Sequence, residues 1–437
     1  MSVNTELSEA WSLFDSGDPQ GAMRALRAAA DGLPSAELAP LAGRLAAAAG
    51  YDDLVEAAAA LAGRPDGAAQ LYDFGYACIE RGVSQLAVPA LRQALTVSLS
   101  RPPRRRLFGR GRPSPRQVLL ELAVALEDGQ RHAEAVTLLQ EHDRLTADWP
   151  DRYLLVHNAL MDGRLDLARQ VFGSLGAPDE DWDEPADRIR RTLARATDAT
   201  PADRQDLRGW HYTLTGGLLT TLSPYGFQAG MTGRWAYLRD SFESCRHGLD
   251  RLRAVLAATG RTPASVALLP DRGSHALGLA AARLLGLPAA PYRPGTPGAL
   301  VVAYDLNNCD PELVAELFER APDEILYEHA TCWTDSPAVS ADISTLLAQV
   351  AIAPWESGMA FTEDGEPKDD PADERSPEQL ADAILADAAE PDEGDGETPA
   401  DPEQALTAFA ARVNGSWLTG SRDRIRSAGP VRSSSFG

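Results

Sequence analysis

The sequence is almost devoid of lysine. Of 41 basic residues only Lys368 is a lysine, and the other 40 are arginine. Lysine Schiff bases, pyridoxal-phosphate anchoring, the Walker lysine and the kinase strand lysine all need an ammonium group in a folded site. Lys368 stands in an acidic stretch, so none of these sites can be built. Cysteine is scarce as well: Cys78, Cys245, Cys309 and Cys332 lie far apart with no Cys-x-x-Cys pair. That pattern is neither a disulfide framework nor a zinc ribbon and suits a reducing cytosol. Long apolar runs are missing; the stretch 276–292 is interrupted by Arg283 and too short to span a bilayer. The opening MSVNTELSEAW shows neither a basic n-region nor an apolar h-region. A soluble, cytoplasmic protein is expected. Positive charge is outweighed, with 64 acids giving a net charge of −23. The average field therefore repels phosphate and argues against a long nucleic-acid surface.

What is present begins with periodicity. The length of 437 residues suggests two or three domains. In the first 180 residues Gly17, Gly50, Gly82, Gly129 and Gly163 each end one amphipathic run and precede another, at spacings of 33, 32, 47 and 34. Three spacings match a helix–turn–helix unit of about 34 residues, and the fourth carries an insertion. The fifth and ninth residues after glycine are Ala22 and Leu26, Ala87 and Leu91, Ala168 and Phe172 in the first, third and fifth units. The small residue lets paired helices approach, and the large one fills the next turn. The fourth unit carries the pair one position later, as Ala135 and Leu139, and the second, with Val55 and Ala59, is degenerate.

These residues, clearest in 72–95 and 119–140, resemble the tetratricopeptide repeat family over roughly residues 5–178. The family's tryptophan and terminal proline positions are poorly kept. The resemblance implies a right-handed solenoid with a concave surface that binds a protein partner. Stacking itself follows from physics, because one unit cannot bury its apolar face alone.

The long spacing has a visible cause. Residues 101–116, RPPRRRLFGRGRPSPR, hold seven arginines and no acid, and four prolines with two glycines forbid a helix. The candidate partner-binding residues are Arg104, Arg105, Arg106, Phe108, Arg110 and Arg112. They suit an acidic partner or the chain's own acidic tail, with nucleic acid or an anionic lipid surface as lesser alternatives and a solvated insertion as the plain one.

After a polar junction at 181–207 the pattern changes. YTLTGGLLTTLS suggests a hairpin at Gly216–Gly217, followed by a helix over about 236–258. Apolar runs at 265–269, 289–292, 299–304 and 324–328 read as strands, and 275–286, 311–320 and 339–350 as helices. That alternation predicts a mostly parallel sheet, with ligand loops at the carboxyl ends of strands. The segment SVALLPDRGSHALGLAAARLLGLPAAPY resembles the pyrophosphate-loop region of the phosphoribosyltransferase fold, with ALVVAYDLNNCDPELVAELF at the place of its phosphoribosyl-diphosphate signature. The resemblance implies a degenerate phosphate loop. Asp305 is kept at the strand end, but Asn307, Asn308 and Cys309 replace the threonines and glycine, and Asp310 and Pro311 follow. A nearby carboxylate and an N–H-less proline damage a phosphate nest. Candidate ligand residues are Asp305, Asn307, Asn308, Arg272 and Ser274, with magnesium accompanying any phosphorylated ligand; Ser274 also reads as a plain helix cap.

Residues 363–403 carry 17 acids against Lys368 and Arg375, a composition that predicts disorder. The expected architecture is a tetratricopeptide-like α-solenoid (1–180), an α/β domain (208–357) and an acidic, mostly disordered tail (358–437) with a short helix near 402–413. The expected function is a protein-interaction adaptor whose α/β domain is not catalytic; the alternative is an enzyme acting on a phosphorylated sugar or nucleotide.

Overall fold

The computed structural model of the chain describes residues 3–100, 113–361, 367–387 and 395–436. It divides into two compact units after Trp182.

The first unit is helical throughout. Its helices are α1 (Val3–Asp15), α2 (Pro19–Ala29), α3 (Ser35–Ala49), α4 (Asp52–Gly63), α5 (Ala68–Glu80), α6 (Ser84–Leu99), α7 (Pro115–Asp128), α8 (His132–Glu141), α9 (Tyr153–Met161) and α10 (Leu165–Ser174). They pack as five consecutive pairs, each also packed on the next pair. Every repeat glycine falls between the two helices of a pair. Gly17, Gly50, Gly82 and Gly163 have positive φ, the left-handed geometry that reverses the chain without a Cβ clash. Gly129 does not; its φ is −79° and the left-handed residue is Gln130, one position on. That shift explains why Ala135 and Leu139 lie one residue late, and both are buried with Ala22, Leu26, Ala87, Leu91 and Ala168. In the second unit the buried pair is Leu54 and Ala58, one position early. Small residues set the helix separation: a Cβ on Gly75 of α5 would lie 2.6 Å from Leu91 Cγ of α6, and one on Gly43 would lie 3.2 Å from Ala58 Cβ. The arginine-rich segment lies between α6 and α7, but Arg104, Arg105, Arg106, Phe108, Arg110 and Arg112 fall outside the described residues.

The second unit is built on a sheet with strands β1 (Leu218–Leu219), β2 (Trp235–Arg239), β3 (Ser265–Leu268), β4 (Ala289–Pro291), β5 (Ala299–Ala303), β6 (Ile325–Cys332) and β7 (Ile343–Ile352). The order is β1-β7-β6-β5-β3-β4, with β2 also on β7, and every pairing is parallel. Both faces are buried. Leu300 and Val302 of β5 join a core with α13 (Phe242–Thr259), α14 (Arg272–Leu285), α16 (Pro377–Ala386) and α17 (Glu403–Val413). Ala299, Val301 and Ala303 face the opposite core with α15 (Pro311–Glu316).

Four sequence expectations fail here. The stretch 339–350 is not a helix: Ile343–Ile352 is β7, which pairs with β6, β1 and β2. Ile343–Ala348 is buried at every position, so the strand lacks the alternation that marks a half-buried one. No hairpin turns at Gly216–Gly217; Gly216, at φ 81°, ends helix α12 (Leu207–Thr215). The helix expected over 236–258 starts late, since Trp235–Arg239 is β2 and α13 begins at Phe242, while the polar junction 181–207 holds α11 (Asp183–Ala199), which buries Ile189, Ala196 and Arg195. The tail is largely folded. Gly358–Phe361 and Pro367–Asp370 pair as antiparallel β8 and β9. Helix α16 packs on α14 and α17 on α13, and Arg422 near the end is fully buried. Counting acids missed the apolar stripe of Leu380, Ala381 and Ile384. Burying each of the larger side chains contributes about 1.5–3 kcal/mol, more than scattered exposed charges oppose. The described acids also meet arginines of their own unit: Asp370 pairs with Arg239, Asp382 with Arg283, and Asp401 with Arg208.

Among the described residues no helix is long and apolar enough to cross a membrane.

Candidate functional site at the carboxyl edge of the sheet

The chain leaves β3 towards β4 on one side and returns as β5 on the other, so a crevice opens at the carboxyl ends of β3 and β5. Of the five sequence-predicted ligand residues, Arg272 and Ser274 lie in the first turn of α14 and Asp305, Asn307 and Asn308 follow β5, and only these last three come together. Asp305 Oδ1 accepts from the Asn307 N–H at 2.9 Å, and Asn308 Nδ2 donates to Oδ2 at 3.5 Å. This is a self-closed turn, with Asn307 Nδ2 spent on the Asp335 carbonyl at 2.8 Å. Ser274 and Arg272 do not join it. Asp271, not Ser274, caps α14, its Oδ1 accepting from the Ser274 N–H at 2.8 Å. Ser274 is fully buried, and its Oγ accepts from the Tyr304 N–H at 2.9 Å, bracing α14 against the end of β5. Arg272 donates Nη2 to the carbonyl oxygens of Asp373 and Arg375, the latter at 2.7 Å.

Carboxylates dominate the crevice. Glu328 of β6 is fully buried; Oε1 accepts from the Leu306 N–H at 2.8 Å and Oε2 from the Thr331 hydroxyl. Burial, then the charge of Asp305, pushes its carboxyl up to about 8. Asp305 is pushed up to about 6 by burial, aided by Glu356 and Asp271. Burial and mutual repulsion thus disfavour the charged form of both carboxyls. The pair repels a phosphate dianion, and the one arginine expected to bind that dianion is occupied elsewhere. Cys309 adds no nucleophile: burial and the adjacent Asp271, which its thiol reaches at 3.3 Å, push the thiol above its ordinary range.

A buried polar network centres on Asp240, a residue the sequence did not single out. Asp240, just after β2, accepts on Oδ2 from the Tyr304 hydroxyl at 2.9 Å and meets His329 Nε2 at 3.0 Å and Cys245 Sγ at 3.5 Å. Burial works against the Asp240 charge, but His329 more than offsets it and the carboxyl sits below its ordinary range. Ligand atoms of Asp240, Cys245 and His329 all lie within 4.8 Å of one another, a donor set that suits zinc. The hydrogen bonds on Oδ2 account for the clustering, while Oδ1 is buried without a partner. The available signal was Glu328-His329 inside an otherwise apolar strand, since charged groups inside strands need partners.

No family model matches the sequence, and no curated protein matches it. Among solved structures, one described as a functional characterization of pilF from Pseudomonas aeruginosa is similar at 17% identity, covering 49% of this chain and 91% of that one, with a TM-score of 0.26. A tetratricopeptide repeat protein from Parabacteroides merdae is similar at 13% identity, covering 65% of this chain and 85% of that one, with a TM-score of 0.24. The phosphoribosyltransferase resemblance finds no support, consistent with an acidic loop where a phosphate nest would lie.

Proposed function

We propose that the first unit is a protein-docking module and that the face formed by α5 and α7 takes a basic segment of a partner protein. The observation that supports this is a patch of two tyrosines and the acids Glu80 and Glu121. Tyr72 and Tyr76 stack on α5 with ring centroids 6.2 Å apart, and Tyr76 is 43% exposed. Glu121 of α7 is half-buried, and burial together with the Glu80 charge pushes its carboxyl above the ordinary range. Burial and the nearby Glu121 raise the Tyr72 phenol to about 12. Among the described residues no arginine forms an ion pair with Glu121. An arginine or lysine from outside would gain the faces of two tyrosines and relieve two carboxylates at once. Paired-helix arrays offer such surfaces because successive pairs line up their equivalent helices.

The reading is tested by fluorescence polarisation of the full chain against labelled arginine-containing nonapeptides, with glutamate-substituted versions as controls. Binding is expected to weaken with salt and to fall at least tenfold in the double variant Tyr76→Ala, Glu121→Lys. Affinity indifferent to both substitutions overturns it.

A further inference from the structure

The second unit contains a cavity of about 60 Å³, joined to the carboxylate crevice through Thr331 and lined by α12, the end of β6, Ser344 and Leu347 of β7, the loop 333–341 and the C-terminal segment. Its most unusual lining residue is Arg234. The residue is 4% exposed, and no carboxylate pairs with it among the described residues. Nη1 donates to the Val431 carbonyl at 2.6 Å and the Ser433 hydroxyl at 2.9 Å, and Nη2 to the Ala428 carbonyl at 2.9 Å. A guanidinium has five N–H groups. Two remain: one on Nη2 and the one on Nε, which is buried and has no acceptor. Together Nε and Nη2 form the fork that grips two oxygens of one anion.

The rest of the lining fits the same occupant. Trp333 lies under the guanidinium at 5.3 Å, which holds the fork in plane. His211 contributes a second buried nitrogen, Nε2, without a partner. Burial, aided by Arg234, keeps its imidazole neutral, down to about 3. A neutral imidazole still has one N–H to donate. Leu214, Val339 and Leu347 supply apolar walls. Burial without a counter-charge also pushes Arg234 down, to about 9. It is still cationic at neutral pH, and a buried cation without an anion is costly.

We infer that this cavity binds the oxyanion head of a small organic acid, with Arg234 Nε and Nη2 as the fork and His211 Nε2 as a further donor. The chemistry required is a carboxylate or phosphate group on a compact, partly apolar body.

The experiment uses the full chain at constant ionic strength, with potassium chloride replaced by acetate, propionate or inorganic phosphate. Thermal unfolding and calorimetric titration read the outcome. Carboxylate or phosphate is expected to raise the unfolding midpoint by about 2–4 °C over chloride. Stabilisation by acetate and propionate assigns a carboxylate head; by phosphate alone, a phosphate head. Arg234→Lys keeps the charge but loses the fork, and should weaken binding at least tenfold. Because Arg234 also tethers the C-terminal segment, His211→Phe serves as the second variant. It leaves those tethers intact, removes the second donor and should weaken binding comparably. No shift with any of the three anions, or shifts unchanged in His211→Phe and in folded Arg234→Lys, overturns the inference.

Discussion

Arg422 and Asp342 are 80 residues apart in sequence, and Arg422 donates from Nε and Nη2 to the same Asp342 oxygen at 3.0 and 2.8 Å. Both are essentially fully buried, and Nη1 of the same arginine reaches Glu324 at 2.9 Å. One side chain from the last twenty residues thus bridges two acids at the starts of β6 and β7.

Replacing Arg422 by alanine leaves those acids buried, with Asp342 keeping Arg320 as its ion-pair partner and the Leu326 N–H at 2.8 Å among the described residues. The loss expected is about 3–5 kcal/mol of unfolding free energy, read by urea denaturation. Burial works against the Asp342 charge, but Arg422 and Arg320 hold the carboxyl below its ordinary range. A lowered carboxyl pKa stabilises above the unfolded value and stops doing so as pH falls through the folded one. Wild type should therefore lose stability as pH drops below about 4, and Arg422→Ala should lose less over that window.

Glu328 gives the opposite slope. Its carboxyl is raised to about 8, so its contribution is full below the ordinary value of 4.5, erodes as pH rises and is gone above about 8. Glu328→Gln keeps an acceptor for the Leu306 N–H and carries no charge. Thermal unfolding from pH 5 to 9 should show a falling midpoint in wild type and a flatter one in the variant. Equal slopes would show that Glu328 ionises freely.

Gly75 sets the spacing of the third helix pair. Alanine there would place Cβ 2.6 Å from Leu91 Cγ, inside a fully buried contact. Gly75→Ala is expected to cost about 1–3 kcal/mol by overpacking. Adding Leu91→Ala should cost less in the Gly75→Ala background than alone, a coupling that a double-mutant cycle measures.

The repeats were legible because their determinants are local. A left-handed glycine, an alanine at a fixed offset and a large residue one turn later act within one helix pair, and even the one-residue displacement at Gln130 showed in Ala135 and Leu139. The carboxyl-edge loops were also legible, since alternating strands and helices imply a parallel sheet. Their chemistry was not. Arg272 pairs with carbonyls 101 and 103 residues away, and Glu328 takes part of its character from Asp305, 23 residues upstream.

Sequence alone determined the near-absence of lysine, the helical period and the excess of negative charge, all properties of composition or of neighbours along the chain; that Lys368 lies in β9 was left to the fold. Tertiary structure decided the rest. Only folding could show that β7 is a strand, because burial on both faces erases its periodicity. Only folding could show that the acidic C-terminal segment packs on the sheet, because its partners lie some 80 to 200 residues upstream. And only folding could leave Arg234 inside without an acid, since a charge is unpaired only with respect to what surrounds it in space.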